Sequence, residues 1–213
     1  RAVVLTHQHP DHIGLAGWFQ ERSDAPVYMS EQAYGYAMRL WGPGRTFTAE
    51  LQALYRENGL PRGLEEALED HLERFVAMVS PLPDPSFVRG GGTIEIGGVS
   101  WKIIDTPGHA DGHLCFWQRD ARLMLCGDQV LPGITPNISL VPGGEPGVLA
   151  RDLNSLAMLE AFEAEWAYPG HRDPFRGMRS RIGEIKAHHI PRLAVMEDML
   201  AEPLTGYELC MRL

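Results

Sequence analysis

None of these 213 residues can span a bilayer as a helix: no apolar run approaches the roughly 20 residues that crossing requires. Cysteine is scarce. Cys115, Cys126 and Cys210 are an odd number in a chain this long, which reads as free thiols in a reducing compartment rather than a disulfide framework and sets the cytoplasm as the expected location. Basic charge is in deficit, with 19 Lys and Arg against 28 Asp and Glu and a net charge of −9. Broad nucleic-acid binding relies on phosphate neutralisation, so this balance disfavours it while leaving room for a local basic groove. No Gly-x-Ser-x-Gly elbow occurs and no cysteine stands in an activating context, which disfavours serine or cysteine nucleophiles. Gly90-Gly91-Gly92 lacks the Gly-x-Gly-x-x-Gly spacing of a dinucleotide loop and reads as a turn before a strand. Internal repeats and low-complexity segments are absent as well. An apolar content of 44% is enough for a substantial core, most simply one domain with an appendage.

What is present is histidine in a telling order. Thr6-His7-Gln8-His9-Pro10-Asp11-His12 follows the apolar run Ala2-Val3-Val4-Leu5 directly, and imidazole with carboxylate is a donor set for zinc-like divalent ions. His7 and His9, two apart, can reach one ion together; Asp11 and His12, past Pro10, face a second. Four donors are too few for two catalytic ions. Further ones appear where apolar stretches end in Gly or Pro turns: His109 after Asp105-Thr106-Pro107-Gly108, Asp128 after Cys126-Gly127, and His171 after Pro169-Gly170. Taken alone, His109 or His171 reads more readily as a surface or hydrogen-bonded core histidine, and Asp128 as a turn residue. His113 reads as structural at the start of a strand, with a role behind the donors or facing substrate as the alternatives. His71, His188 and His189 fall in helical patterns and read as solvated or packed.

The run His-x-His-x-Asp-His at 7–12, Thr-Pro-Gly-His at 106–109, Gly-Asp at 127–128 and Pro-Gly-His at 169–171 resembles the successive motifs of the metallo-β-lactamase-fold hydrolases, over residues 1 to about 175. The resemblance implies an α/β fold, the four-layer αββα sandwich, in which His7, His9 and His109 hold one metal, Asp11, His12 and His171 the other, and Asp128 bridges. Asp11 and Asp128 are then the catalytic carboxylates, and the cofactors are two Zn2+, with Mn2+ or Fe2+ as alternatives. Strands normally precede the first motif in that fold, so an N-terminal piece of the sheet is expected to lie outside this sequence. Two such ions about 3.5 to 4 Å apart share a water and lower its pKa to about 7, giving a metal-activated hydroxide without a protein nucleophile.

The remaining organisation is helical around the motifs. Residues 31–40 with Ser30 as N-cap, 48–58 with Thr48 as cap and Gly59 as stop, and 64–79 form a helical insertion at about 30–80, a lid. Tyr34, Tyr36, Met38, Trp41, Phe47, Tyr55, Phe75 and Met78 either line an apolar pocket or, for any single one more readily, pack the helices together. Strands at 93–96 and 99–104 flank a Gly97-Gly98 hairpin turn. The loop at 131–144 forms a site wall, with Thr135 and Asn137 either touching substrate or only turning the chain. A helix at 148–162 covers the sheet with a face at 149, 153, 156 and 159. The metallo-β-lactamase-like domain thus runs over 1–175, and 176–213 is a helical tail: Ile182, Ile185, Leu193, Met196 and Leu200 share one stripe, and Thr205-Gly206-Tyr207-Glu208 is a capping box. This tail resembles the start of the winged-helix-like appendage of β-lactamase-like endoribonucleases.

The function expected from all this is hydrolysis at a dinuclear site of a thioester or other acyl ester, as in glyoxalase-II-like relatives, with a small-molecule acyl substrate as partner. The alternatives are a phosphodiesterase or endoribonuclease of the same fold, for which nucleic acid is the less favoured partner, and a noncatalytic metal-binding scaffold. No membrane partner is expected, and a homo-oligomer is compatible with each reading.

Overall fold

Gly97 and Gly98, both at positive φ (64° and 79°), supply the backbone that a two-residue hairpin turn demands, and they join β4 (Thr93–Ile96) to β5 (Val99–Asp105) in the register Ile96 opposite Val99. The structure, a computed structural model, describes residues 1–213. The hairpin continues antiparallel through β6 (Leu114–Gln118) and β7 (Leu123–Gly127); β8 (Trp166–Pro169) then adds in parallel beside β7 to complete a five-stranded sheet. Its parallel step needs a crossover, which α6 (Val148–Leu159) provides. A second sheet is wholly parallel: β1 (Val3–Val4), β2 (Val27–Met29) and β3 (Pro85–Phe87). Its crossovers are helical too, α1 (Pro10–Ile13) and α2 (Ala16–Ser23) after β1, then α3 (Glu31–Trp41), α4 (Phe47–Glu57) and α5 (Glu65–Val76) after β2.

The period-2 alternation of the five-stranded sheet sorts its side chains into two cores. Trp101, Ile103, Leu114 and Phe116 face the parallel sheet and meet Val4 and Tyr28. Ile104, Cys115, Met124, Cys126 and Ala167 point the other way, onto Leu156 and Leu159 of α6 and onto Met178, Ile182 and Ile185 of α7 (Met178–Met199). On the far side of the parallel sheet, Val27 and Met29 pack against Ile13, Ala33, Ala37 and Trp41. The order helices, sheet, sheet, helices is the four-layer αββα arrangement the motifs led us to expect. No helix is long and apolar enough to cross a membrane.

Three local expectations are corrected. The helix expected to start under Thr48 begins earlier, at Phe47 with Thr46 as N-cap. Burial of Phe47 sets that start, and the Thr46 hydroxyl is used to donate to Glu50 (2.6 Å) rather than to close a backbone cap. The helix expected over 64–79 opens as a 3-10 turn at Arg62–Leu64 and stops as α5 at Val76. The tail stripe is buried only at its start: past Ile185, Leu193 and Leu200 are 46% and 50% exposed, because α7 outruns the sheet beneath it. The capping box opening α8 (Gly206–Arg212) is present, with Thr205 and Glu208 bonded reciprocally. Its neighbour Tyr207 donates its backbone N–H to the Asn58 carbonyl (2.9 Å), so the last helix is fastened to the end of α4.

Candidate metal centre

All seven donors singled out in the sequence converge at one end of the two sheets. His7, His9, Asp11 and His12 leave β1 through α1, while His109 follows β5, Asp128 follows β7 and His171 follows β8. Donor atoms group as His7, His9, His109 and as Asp11, His12, His171; a third grouping, His7, His12, Asp128, joins them. His9 Nδ1 lies 3.0 Å from both His7 Nε2 and His109 Nε2. Asp128 stands between the triads: Oδ1 is 3.4 Å from His12 Nε2, and Oδ2 is 3.5 Å from His109 Nε2 and 3.3 Å from His171 Nε2. On the outer side, Asp11 Oδ2 reaches His171 Nε2 at 3.0 Å. The first triad is deep, with His7 fully buried, whereas the side chains of Asp11 and His171 are 52% and 45% exposed.

Partners behind the donors fix their tautomers. His109 Nδ1–H donates to the Asn137 carbonyl at 2.9 Å, which leaves Nε2 as a lone pair aimed at the centre. His7 Nδ1 is engaged by the Thr6 hydroxyl at 2.9 Å, so its Nε2 likewise turns inward. His113 is fully buried and is not a donor to the centre. Its Nε2 accepts the Asp128 backbone N–H (3.1 Å), so Nδ1 carries the proton and donates to the Thr106 hydroxyl (2.7 Å). The structural reading of His113 therefore holds, with the addition that it ties the turn after β5 to the turn after β7. Gly170 is required by proximity: a Cβ there would sit 2.1 Å from Asp128 Oδ1 and 2.8 Å from His12 Cε1.

The donor set fits divalent cations. His12 Nε2 and Asp128 Oδ1 are buried without a hydrogen-bond partner, and a native interior does not leave such atoms crowded together unless something satisfies them. Burial, with the neighbouring imidazoles, lowers the pKa of His7 and brings that of His9 down to about 4; burial also lowers His109. Each is thus held neutral, the form that binds a metal. Burial pushes the Asp128 carboxyl up, but the surrounding His12, His109 and His171 outweigh it and hold the group below the usual carboxylate range.

Of the aromatic and methionine residues considered for a pocket, Tyr36 reaches a small cavity beside His9 and His109, and Met78 lines an open groove beside Asp11 and His12. Trp41, Tyr34 and Phe75 pack the core over the parallel sheet instead, and Phe47 is buried. Asn137 serves the centre through its carbonyl. Several residues escaped the sequence reading. Asp152, 1% exposed on α6, accepts from Gln129 Nε2 (2.6 Å), and Tyr36 donates to Asp111, which pairs with Arg151 at 2.7 Å. The signal for Asp152 was its place one turn from Ser155 and Leu156 on the buried face, masked by the apolar stripe assumed for that helix. Cys115 and Cys126 are buried and Cys210 is exposed, all as free thiols; burial raises the Cys115 pKa to about 12 and that of Cys126 well above the usual thiol range, which removes both as nucleophiles.

The family model described as the metallo-beta-lactamase superfamily matches residues 1–171. The chain is 27% identical over 219 residues to the probable metallo-hydrolase YqjP of Bacillus subtilis, covering 99% of this chain and 66% of that protein. It is 24% identical over 135 residues to hydroxyacylglutathione hydrolase GloC of Haemophilus influenzae, covering 62% of this chain and 51% of GloC. Among solved structures, the metallo-beta-lactamase family protein TTHA1429 from Thermus thermophilus superposes with a TM-score of 0.91 at 32% identity, covering all of this chain and 68% of that one. The chain therefore spans about two thirds or less of the curated relatives' length.

Proposed function

Because the chain belongs to the metallo-beta-lactamase superfamily, we propose that it is a dinuclear metal-dependent hydrolase, loaded with zinc, acting on a thioester or related acyl ester. The observation that carries the reading is the pair of His and Asp triads with the Asp128 carboxylate between them. His7, His9 and His109 would hold one cation and Asp11, His12 and His171 the other. Cations bound there supply Lewis acidity for the scissile carbonyl and bring the pKa of a water near neutrality.

The protein's own residues do the rest. Substrate enters from the solvent side, where Asp11 and His171 are open, and the acyl carbonyl is presented to the triads. Asp128, standing between the triads, would help hold the cations and orient the attacking water beside them. Its low pKa keeps it an acceptor at neutral pH. The new C–O bond forms as the C–S bond breaks, and Asp11, half in solvent, passes the water's proton toward the departing thiolate sulfur. His113 and Asn137 hold the turns in place throughout. The acyl reading is supported by GloC's printed activity and by the net charge of −9, which suits a phosphodiester backbone poorly.

The test is a panel of acyl thioesters, lactones and phosphodiesters, including single-stranded RNA, with zinc, manganese and iron each supplied to metal-stripped protein. Thioester turnover restored by metal is the expected result. Cleavage of RNA with thioesters left intact would overturn the acyl reading.

A further inference from the structure

Residues 131–140 pass beside the centre without making a single backbone–backbone hydrogen bond, and only Leu131 and Pro136 among them are buried. The loop meets the deep triad at the Asn137 carbonyl, which takes the Nδ1–H of His109 at 2.9 Å. Its first bend, Leu131-Pro132-Gly133-Ile134, has the make-up of a type II turn, with proline second and Gly133 third at a φ of 73°. Such a turn closes when the carbonyl of its first residue accepts from the N–H of its fourth, and that bond is not made here. A side chain from α7 takes its place. Arg181 donates through Nε to the Leu131 carbonyl (2.8 Å) and through Nη2 to the Ile134 carbonyl (2.8 Å), while Nη1 donates to Glu184 (2.7 Å). Each of the three guanidinium nitrogens is thus engaged, on a side chain only 16% exposed. Beyond Asn137, Arg39 of α3 donates to the Pro142 carbonyl (2.9 Å).

We propose that Arg181 is a positioning residue for the deep triad: its guanidinium holds the bend at 131–134 open, and the path so fixed delivers the Asn137 carbonyl to His109. The proposal rests on His7, His9 and His109 holding a cation, as above. Three features support it. Hydrogen bonds from a charged donor are roughly twice as strong as neutral ones, so the two that Arg181 supplies outweigh the one the bend forgoes. From Ile134 to Asn137 the chain spans at most about 10 Å, and Pro136 stiffens it on the way, so a shift at the Ile134 carbonyl carries through to the Asn137 carbonyl. The bond at Nδ1 in turn fixes the tautomer and the ring orientation that aim His109 Nε2 at the centre. Without Arg181 the bend is free to close on itself, which draws the loop away and leaves the His109 ring to turn.

The test follows imidazole N–H protons by NMR in zinc-loaded protein carrying 15N-labelled histidine, for the parent and for Arg181→Met. His109 Nδ1–H reports the bond to Asn137 directly, and His113 Nδ1–H, bonded to Thr106, is an internal reference outside the loop. In Arg181→Met the His109 proton is expected to exchange with solvent about tenfold faster while the His113 proton keeps its rate. Zinc affinity, measured by competition with a chelator, is expected to fall about tenfold, the lower end of what partners behind metal ligands contribute. Arg181→Lys keeps a charged donor without the planar fork; it is expected to fall between the two, and it stands in should Arg181→Met not fold. An unchanged His109 proton or an unchanged zinc affinity in every variant that folds overturns the proposal. Equal acceleration of the His109 and His113 protons, the mark of general loosening, overturns it as well. A parent protein that binds no zinc would instead overturn the metal-centre reading, and this proposal with it.

Discussion

At the scale of single residues, the centre separates groups that face it from groups that hold those in place. Asp128→Ala removes the carboxylate between the triads and leaves imidazoles crowded at 3.0 Å with no anion among them. Metal affinity is expected to fall by more than about 100-fold with activity lost, because outer partners alone are worth about 10–100-fold; metal analysis after dialysis and far-UV circular dichroism will show a depleted but folded protein. His113→Ala acts differently. It orphans the Asp128 N–H, while the Thr106 hydroxyl keeps Cys115 Sγ and the residue-113 carbonyl, so stability should drop by about 1–3 kcal/mol, with metal affinity down by about 10–100-fold, measured by urea unfolding and competition with a chelator. The seven facing residues were legible because four of them fall in one His-x-His-x-Asp-His run just after β1, and the other three follow strands that end in Gly or Pro punctuation. Asp152 and the Thr106–His113 bond were not legible, since whether a polar side chain finds a partner depends on residues brought close only by the fold.

At the scale of elements, patterns that close on themselves were read well and patterns that need a neighbour were not. The Gly97-Gly98 hairpin, the Ser30 cap, whose hydroxyl accepts from Ala33 N–H at 3.0 Å, and the Thr205 capping box each contain their own explanation within four or five residues. The start of α4 was misplaced because Thr46 and Thr48 are equally good caps by type, and docking of Phe47 decides between them. Periodicity carried the α7 stripe on to Leu200 because it cannot sense where the underlying sheet stops. On α6 the same blindness hid a carboxyl in the buried face. Burial raises the Asp152 pKa to about 6, offset in part by the bond from Gln129. With the folded value above the unfolded one, the native state holds the proton more tightly; the stabilising contribution is complete below about pH 4 and is lost as pH rises through 6. Asp152→Asn keeps an acceptor for Gln129 and does not ionise. It should therefore be more stable than the parent at pH 8, by on the order of 2 kcal/mol in urea unfolding, and show no such gain at pH 4.

At the scale of the whole molecule, ion binding and folding are linked because the seven donors come together only in the native state. A metal at 100 times its dissociation constant adds about 2.7 kcal/mol to stability, which for a chain of this size is a rise of about 5–10 °C in Tm. Thermal melts across a zinc titration, reversed by chelator, will follow that dependence, and a flat response would contradict a preformed centre. The fold class was readable at this scale from four motifs alone, because their order along the chain is the order of the strands that carry them.

The two sheets meet their donors from opposite sides of the molecule's midline: His7, His9, Asp11 and His12 extend from the parallel sheet, and His109, Asp128 and His171 from the five-stranded one. An ion shared by His9 and His109 closes a circuit of a hundred residues, the kind of long loop whose fastening restricts the denatured chain most. A bound ion would thus fasten the two sheets to each other at this end of the molecule. Chelation would release that fastening and leave the two sheets joined by the packing of their facing side chains alone.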